Sequence, residues 1–396
     1  MNNKSKIWLL YIAAFVIVAG YTVFTPILPF LVKHLGGKES QVGVVIALAP
    51  LTTVIFSPIL GALADRWGRR PIILLGMAGM AVWFGLYALA TSMTFLYVGS
   101  LVGGVFSAGA MAAANAYVSD VTSEEERGKY ITQVQAAQMM GAFIPPLAAG
   151  FLASISLRLP FYIMMGIAIL GLILCLLSLN ESLSTDQKEK AKAETQGTLQ
   201  MVASSFVKLF GYLKTPIGPL LIIAFLIAFP TGFFETSLPL LVENLGLSTS
   251  QSGIVFSTAT LAVVIAQITI VEKMMKRYGE MANILAGMVS AIIFYILIPF
   301  SSGFWMILAI NAVLAFTTSQ MRPANITLLT KNAPAQEQGL SQAAYNLYTS
   351  IGRIIGPILG GIMYSQIGGK ITLIIAAVLF GFSALYTYNL TRKNTA

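Results

Sequence analysis

Twelve apolar segments follow one another along the chain, and this pattern restricts the chain to a membrane fold. Each has about 20 or more residues, enough for one helical crossing of a bilayer. Only 10% of the 396 residues are charged and 57% are hydrophobic, whereas a soluble domain carries about 25% charged residues. The sequence therefore predicts an all-α membrane protein with twelve transmembrane helices. The predicted spans are 7–32, 41–63, 72–91, 94–118, 131–155, 160–180, 217–242, 250–271, 281–300, 303–328, 340–366 and 371–391.

Lysine and arginine are distributed unevenly between the two sides of these spans. If both termini lie on one side, that side receives 18 of the 24 basic residues, and the other side receives 4. Because positively charged loops stay in the cytoplasm, we expect a multi-pass cell-membrane protein with both termini cytoplasmic. The same loops account for the net charge of +9 without any role in nucleic-acid binding. The single cysteine and single histidine exclude a disulfide within the chain and leave little for a metal site.

The chain repeats itself at a nearly constant offset. Pro29–Gly36 (PFLVKHLG) matches Pro239–Gly246 (PLLVENLG) at an offset of 210, and further glycines and prolines match at 211. Such a repeat predicts two pseudo-symmetric six-helix halves in parallel orientation, with substrate bound near the midplane. The predicted parts are an N-terminal half at 1–180, a cytoplasmic linker with an interfacial helix at 181–215, and a C-terminal half at 216–396.

One carboxylate lies inside the seventh span. Glu235 is flanked by Pro230 and Pro239, which loosen the helical hydrogen bonding around it. A charge at this depth costs roughly 2.5–3.5 kcal/mol on insertion scales. We therefore expect Glu235 to be protonated, paired with a cation or turned toward a watery cavity. Its equivalent at offset 210 is Thr25, so the acid belongs to one half only.

The loop after the second span reads GALADRWGRRP from Gly61 to Pro71. It resembles the signature loop of the major facilitator superfamily, and the span count and repeat agree with that resemblance. The resemblance implies that Asp65 contacts the start of span eleven, where an anion meets the positive end of the helix dipole, and holds the cytoplasmic side shut. The residues of this predicted latch are Gly61, Asp65, Arg66, Gly68, Arg69 and Arg70.

Spans five and eleven contain equivalent stretches rich in glycine and proline. The first, from Gly141 to Gly150, resembles the antiporter motif of drug exporters but has Pro145 and Ala149 where that motif has glycine. The second, from Gly352 to Gly361, fits it better. General close packing of helices through small residues is the alternative. The residues of the predicted packing motif are Gly141, Pro145, Pro146, Gly150, Gly352, Gly356, Pro357, Gly360 and Gly361.

Two stretches, 234–240 (FETSLPL) and 321–325 (MRPAN), resemble the NorA-type multidrug/proton antiporters of Gram-positive bacteria. The resemblance implies that Glu235 is the proton-coupling carboxylate. Arg322 is expected to pair with it and to compete with the proton. The chain departs from its relatives at Ser319, where they have a second acid, and at Ser100, where many have a proton-coupling arginine.

Arg353 is a second arginine within a span, one turn before Pro357. It could face the substrate cavity, form a structural pair, or extend its head toward the interface. If Glu235 is neutral, Arg322 and Arg353 leave the cavity positive, which favours an anionic or zwitterionic substrate. Other polar, aromatic or thioether residues within spans could line the same cavity or belong to the core. They are Tyr21, Phe24, Gln135, Gln138, Met139, Phe233, Asn311, Gln320, Asn325, Tyr345 and Asn346.

These observations favour proton-coupled efflux of amphipathic drugs or similar small molecules by alternating access. The alternative is a carrier of the same fold for an anionic or amphiphilic metabolite, such as an organic anion, a sugar or a lipid-linked species. A membrane enzyme is disfavoured because the residues offer no catalytic constellation. With no nucleotide-binding motif, the proton gradient is the expected energy source, and no cofactor or metal is expected. Since two halves suffice, the chain is expected to act as a monomer.

Overall fold

The polypeptide is built from helices joined by short connections. The computed structural model describes residues 6–183, 208–334 and 337–395, and every regular element in that part of the chain is helical. The α-helices are α1 Trp8–Thr22, α2 Leu28–His34, α3 Glu39–Trp67, α4 Arg69–Ala88, α5 Met93–Val121, α6 Glu124–Ile155, α7 Leu159–Ser178, α8 Gly218–Asn244, α9 Thr249–Ala266, α10 Glu272–Tyr278, α11 Glu280–Leu297, α12 Phe304–Thr318, α13 Met321–Asn332, α14 Gln338–Ile367 and α15 Gly369–Thr395.

In the described part of the chain, ten helical segments are long and apolar enough to cross a membrane. The predicted span eleven is α14, whose 30 residues are long enough but include Gln342, Asn346 and Arg353 and are therefore more polar. The predicted first span is the pair α1 and α2. With these two, the all-α membrane fold agrees with the twelve predicted crossings.

The first span is not the continuous helix predicted over 7–32. The helix α1 ends at Thr22, and α2 begins at Leu28. Pro26 lies in the break, and its ring and missing N–H group are incompatible with an unbroken α-helix there. The equivalent residue at offset 210 is Thr236, and α8 accordingly runs without a break past this position.

The backbone supports the repeat found in the sequence. Gly36 and Gly246 end equivalent helices with φ of 72° and 74°, a left-handed conformation that glycine adopts without strain. Each glycine N–H bonds to the carbonyl three residues earlier, Gly36 to Lys33 at 3.0 Å and Gly246 to Glu243 at 2.9 Å. In both turns the next N–H reaches the carbonyl five residues earlier, which completes the same Schellman cap.

Lys33 and Glu243 occupy the same place in these two equivalent turns. The ammonium of Lys33 donates to the Glu243 carboxylate, with Nζ and Oε1 2.5 Å apart. The Lys33 side chain is 74% exposed, and that of Glu243 is only 11% exposed. The pair therefore joins the end of α2 to the end of α8.

Contacts divide the chain into two compact units. One comprises Met1–Ile27 and Leu48–Ala203, and the other comprises Leu28–Ala47 and Ser204–Ala396. The predicted division at 1–180, 181–215 and 216–396 stays a prediction. Within the predicted linker, residues 184–207 lie outside the described residues.

The core of the first unit is aromatic. Trp83 is edge-on to Tyr87, with ring centroids 6.2 Å apart, and Tyr87 is edge-on to Phe161 at 5.2 Å. These large rings of α4 pack against α5 where it presents Gly99 and Gly103, because a Cβ at either glycine would overlap Trp83 or Tyr87. Glycine on α5 thus makes room for the aromatic core.

The described end of the linker packs on the second unit. The hydroxyl of Tyr212 donates to Glu337 at 3.0 Å, and Phe210 lies edge-on to Tyr348 with ring centroids 6.1 Å apart. Burial, with the hydrogen bond to Glu337, raises the pKa of Tyr212. Residues 208–214 form helical turns, and the predicted position of this stretch at the membrane interface stays a prediction.

Candidate functional site

The second unit brings an acid and a base together within its membrane-spanning helices. Nη2 of Arg353 on α14 donates to Oε1 of Glu235 on α8, at 3.2 Å. The side chains are 49% and 32% exposed, respectively. Arg353 lies at the middle of its 30-residue helix. An ion pair at that depth is best accommodated by contact with water, because lipid would not solvate its charges.

Glycine contacts bring α8 and α14 close enough for this pair to form. Gly352, Gly356 and Gly360 recur every four residues and so share one face of α14. A Cβ at Gly352 would lie 2.8 Å from the backbone nitrogen of Phe229, and one at Gly360 would lie 2.9 Å from the Cα of Phe233. A Cβ at Gly356 would overlap the carbonyl of Phe229. The predicted packing motif of span eleven therefore forms the seam beside Arg353.

Proline follows each charged residue at the same interval. Pro239 lies four residues after Glu235, and Pro357 lies four residues after Arg353. Because proline has no N–H, neither charged residue's carbonyl receives the usual helical hydrogen bond. Thr236 bridges the two helices, since its hydroxyl donates to the carbonyl of Pro357 at 3.3 Å. The backbone around the ion pair therefore has carbonyl groups without their helical hydrogen bonds, and it is less rigid than a regular helix.

The observed partner of Glu235 is Arg353, whereas the sequence favoured Arg322. Arg322 stands near the start of α13 and faces the hydroxyl of Tyr345 on α14. The second acid expected from the relatives is replaced by Ser319, whose hydroxyl donates to the carbonyl of Phe316 at 2.8 Å. Arg322 thus has no acidic neighbour at that position.

Tyr295 on α11 is a neighbour of the site that sequence reasoning missed. It is 3% exposed, and it interacts electrostatically with Glu235. Its ring stacks on Phe234, with centroids 4.6 Å apart. No motif marked this tyrosine, because its proximity to Glu235 depends on how α11 packs against α8.

The predicted cavity-lining residues fall into two groups. Phe233, for example, is 2% exposed and lies edge-on to Phe229 in the α8–α14 seam, and Asn325 donates to the carbonyl of Leu220 at 3.3 Å. The buried group is Phe24, Phe233, Asn311, Gln320, Asn325 and Tyr345. The half-buried or exposed group is Tyr21, Gln135, Gln138, Met139 and Asn346. Only the second group has appreciable accessible surface in this structure.

The family resemblance predicts an arginine at the position of Ser100 in span four, and the first unit has no charge there. Ser100 is fully buried, and its hydroxyl lies 2.7 Å from that of Tyr87. The hydroxyl of Tyr21 is likewise hydrogen-bonded to Thr53 at 3.0 Å and to Ser107 at 2.6 Å. The polar side chains around Ser100 and Tyr21 are uncharged, and their hydroxyl groups are hydrogen-bonded to one another.

The signature loop forms a charged cluster at one end of the first unit. Gly68 has φ of 113°, so it supplies the turn between α3 and α4. Arg69 pairs with Asp65 one turn earlier and with Asp120 of α5 at 3.4 Å, while Arg70 donates to the carbonyl of Leu176 at 2.8 Å. The predicted contact of Asp65 with the start of α14 stays a prediction.

The packing motif of span five also lies where two helix backbones, those of α6 and α1, approach closely. A Cβ at Gly141 on α6 would lie 2.6 Å from the carbonyl oxygen of Phe15 on α1. The hydroxyl of Thr22 on α1 donates to the carbonyl of Gly141 at 2.8 Å. Pro145 and Pro146 follow in the same helix and are buried. This stretch therefore packs α6 against α1, as the alternative of general helix packing requires.

Comparison with known proteins agrees with this architecture over nearly the whole chain. The chain is 29% identical to Multidrug resistance protein 2 of Bacillus subtilis over 370 residues, covering 92% of this chain and 90% of that protein. It is 26% identical to the quinolone resistance protein NorA of Staphylococcus aureus over 363 residues, covering 91% and 90%.

A solved structure shares the fold. The crystal structure of a bacterial homolog of the human lysosomal transporter Spinster superposes with a TM-score of 0.78 at 15% identity, covering 99% of this chain and 97% of that one. The sequence model of the Major Facilitator Superfamily matches residues 10–241 and 220–395. A family model that accounts for both repeats, on a helical membrane fold with this signature loop, makes the chain a member of the major facilitator superfamily of transporters.

Proposed function

We propose that this transporter exports amphipathic drugs or similar small molecules in exchange for protons, with Glu235 as the proton-binding group. The observation that supports this best is the half-exposed ion pair between Glu235 and Arg353 at membrane depth. The names of the relatives, multidrug and quinolone resistance proteins, support drugs as the cargo. The distribution of basic residues supports a plasma-membrane location with both termini cytoplasmic, and we propose a monomer as the working form.

The ion pair gives a simple basis for exchange. When Glu235 is ionised, its charge is balanced by Arg353. Protonation removes that balance, and so does a cationic group of a substrate that approaches the carboxylate. Proton and cationic substrate therefore compete for one acid, and each occupancy favours a different conformation. Competition for a shared site is the requirement for antiport.

The proton gradient supplies enough free energy for useful accumulation. One proton crossing a membrane potential yields about 2.3 kcal/mol per 100 mV, which corresponds to roughly 50-fold accumulation. A pH gradient adds to this. The chain needs no nucleotide or metal cofactor in this scheme, since its own carboxylate holds the transported proton.

The direct test replaces the carboxylate by its neutral isostere. We expect proteoliposomes with the parent protein to concentrate a fluorescent drug when a pH gradient is imposed, and Glu235→Gln to bring the accumulation ratio close to one. The matched control is Glu272→Gln, because Glu272 is a solvent-exposed acid whose partner is Lys276 one turn away. Accumulation by Glu235→Gln at the parent level would show that the coupling group lies elsewhere.

Arg322 supports a second candidate function. Among the described residues its guanidinium faces a tyrosine hydroxyl and forms no ion pair with an acid, which suits a carrier for an anionic metabolite. In the same proteoliposomes, such a carrier would move an organic anion and leave the cationic drug untouched. Glu235→Gln would then have no effect on drug movement, because the parent would show none.

A further inference from the structure

The ion pair between Glu235 and Arg353 is loosely made, and this bears on which substrates fit the site. One nitrogen of the guanidinium contacts one carboxylate oxygen, at 3.2 Å. A strong charge-assisted pair is bidentate, with distances of about 2.7–2.9 Å. Within the described residues the other N–H groups of Arg353 have no acceptor. Both charges are therefore accessible to a ligand.

The two charges have opposite effects on a transported proton. A cationic group bound to Glu235 opposes its protonation. An anionic group bound to Arg353 withdraws the arginine from Glu235 and so makes protonation easier. A purely anionic substrate would thus favour proton binding. Exchange requires the opposite, namely that substrate and proton exclude one another. A purely cationic substrate would compete with the proton as exchange requires. It would, however, displace Arg353 and leave the charge of that arginine unpaired at membrane depth.

A substrate with both charges resolves this conflict. Its cationic group replaces the proton at Glu235, and its anionic group takes the place of Glu235 at Arg353. We propose that Arg353 is a specificity-determining residue that selects zwitterionic amphiphiles over cationic ones of the same shape. This inference rests on the proposed exchange of drug for proton at Glu235, and it adds the charge class of the substrate.

A matched pair of fluorescent probes tests the proposal. One is a rhodamine dye with a free carboxylate, which is zwitterionic, and the other is the methyl ester of the same dye, which is cationic. In proteoliposomes with an imposed pH gradient, we expect the parent to prefer the zwitterion in kcat/KM. Arg353→Gln should lower that preference about tenfold, mainly by raising KM for the zwitterion, since a charged hydrogen-bond partner is lost.

Three further variants make the result specific. Arg353→Lys keeps the positive charge and should retain most of the preference, which a purely structural role of the guanidinium would not predict. Arg277→Gln is the matched control, because Arg277 is exposed and lies over the ring of Tyr278. Arg322→Gln should leave the preference unchanged, because we assign selection to Arg353.

Failure of this inference is distinguishable from failure of the proposed function. If Arg353→Gln keeps the parent's preference while Glu235→Gln abolishes pH-driven uptake of both dyes, selection by Arg353 is refuted and proton exchange stands. If the preference falls in Arg322→Gln instead, the anion site is at Arg322 and the assignment is overturned. If the parent moves neither dye under a pH gradient, the exchange function and the inference fail together. Equilibrium binding of the cationic ester to detergent-solubilised Arg353→Gln checks that the variant is folded, because the proposal leaves binding of that dye intact.

Discussion

Ser100 is a polar residue fully buried in the core of the first unit. The family resemblance leads us to expect an arginine at this position, whereas here a buried serine hydroxyl lies 2.7 Å from that of Tyr87. The first unit has no space or solvent for a charge at this place. This leaves Glu235 as the carboxylate to which we assign proton binding in our proposal.

A substitution tests this view of Ser100. Restoring the arginine, Ser100→Arg, should destabilise the protein by about 3 kcal/mol or more, because it buries an unpaired charge, and it should not increase proton coupling. Thermal unfolding in detergent measures the loss. Ser119→Arg is the control, since Ser119 lies nearer the end of the same helix and is only partly buried. Equal melting temperatures for the two variants would contradict the packing argument.

For single residues, the sequence identified the charged groups of the site but not which of them pair with each other. A lone acid within an apolar span is conspicuous in any sequence, so Glu235 could be singled out. Its partner Arg353 is 118 residues away, and no periodicity links two positions on different helices. Burial of Phe24, Phe233 and Asn325 was equally hidden, because apolarity on every side of a membrane helix conceals which face meets its neighbours.

At the scale of the elements, α8 and α14 depend on glycine at the positions where their backbones meet. The repeat of four in Gly352, Gly356 and Gly360 is readable in the sequence. The identity of the partner helix cannot be read from the sequence, because the glycine spacing predicts a close helix contact without indicating which helix makes it. The break after α1 had a readable signal in Pro26, but the length of the apolar run outweighed it in the prediction of a single span.

The seam between α8 and α14 gives a test with an internal control. Gly356→Ala would push a methyl group into the carbonyl of Phe229, and we expect it to cost about 1–3 kcal/mol of stability and to weaken coupling by displacing Arg353. Gly381→Ala adds the same methyl group to α15, where no described atom beyond the neighbouring backbone of that helix lies within 4 Å. Because alanine favours helix by about 1 kcal/mol over glycine, this control should be neutral or stabilising.

The two variants are compared by melting temperature and by pH-driven uptake. A loss of stability in Gly356→Ala with unchanged uptake would show that the seam supports the fold without positioning Arg353. Equal behaviour of both variants would mean that the helices can separate by the width of a methyl group, and that close approach is not required.

For the whole molecule, the repeat makes an unusual prediction about Lys33 and Glu243. Lys33→Glu places two carboxylates together at the ends of α2 and α8 and should impair transport through their repulsion. The exchanged variant, Lys33→Glu with Glu243→Lys, should recover transport. The two positions occupy equivalent turns, so the ion pair can form again with the acid and the base exchanged. Uptake in proteoliposomes measures both. Failure of the exchanged variant to recover would show that the two positions are not interchangeable.

The charge of Lys33 should persist over the physiological pH range. The hydrogen bond to Glu243, together with the charge of that carboxylate, raises the pKa of Lys33. A group whose pKa is raised by folding stabilises the fold below its ordinary pKa and loses that effect as the pH rises through the folded value. The lysine side of the pair therefore weakens only in strongly alkaline solution, well away from the pH range in which transport is measured.

The ion pair between Lys33 and Glu243 also bears on the history of the chain. When two identical repeats meet at equivalent positions, each residue faces a copy of itself, so a charged residue there faces its own charge. A salt bridge across such a contact can therefore arise only after the repeats have become different. In a protein that began as a duplicated half, this pair marks a point at which the two copies ceased to be exchangeable and became a matched set within one chain.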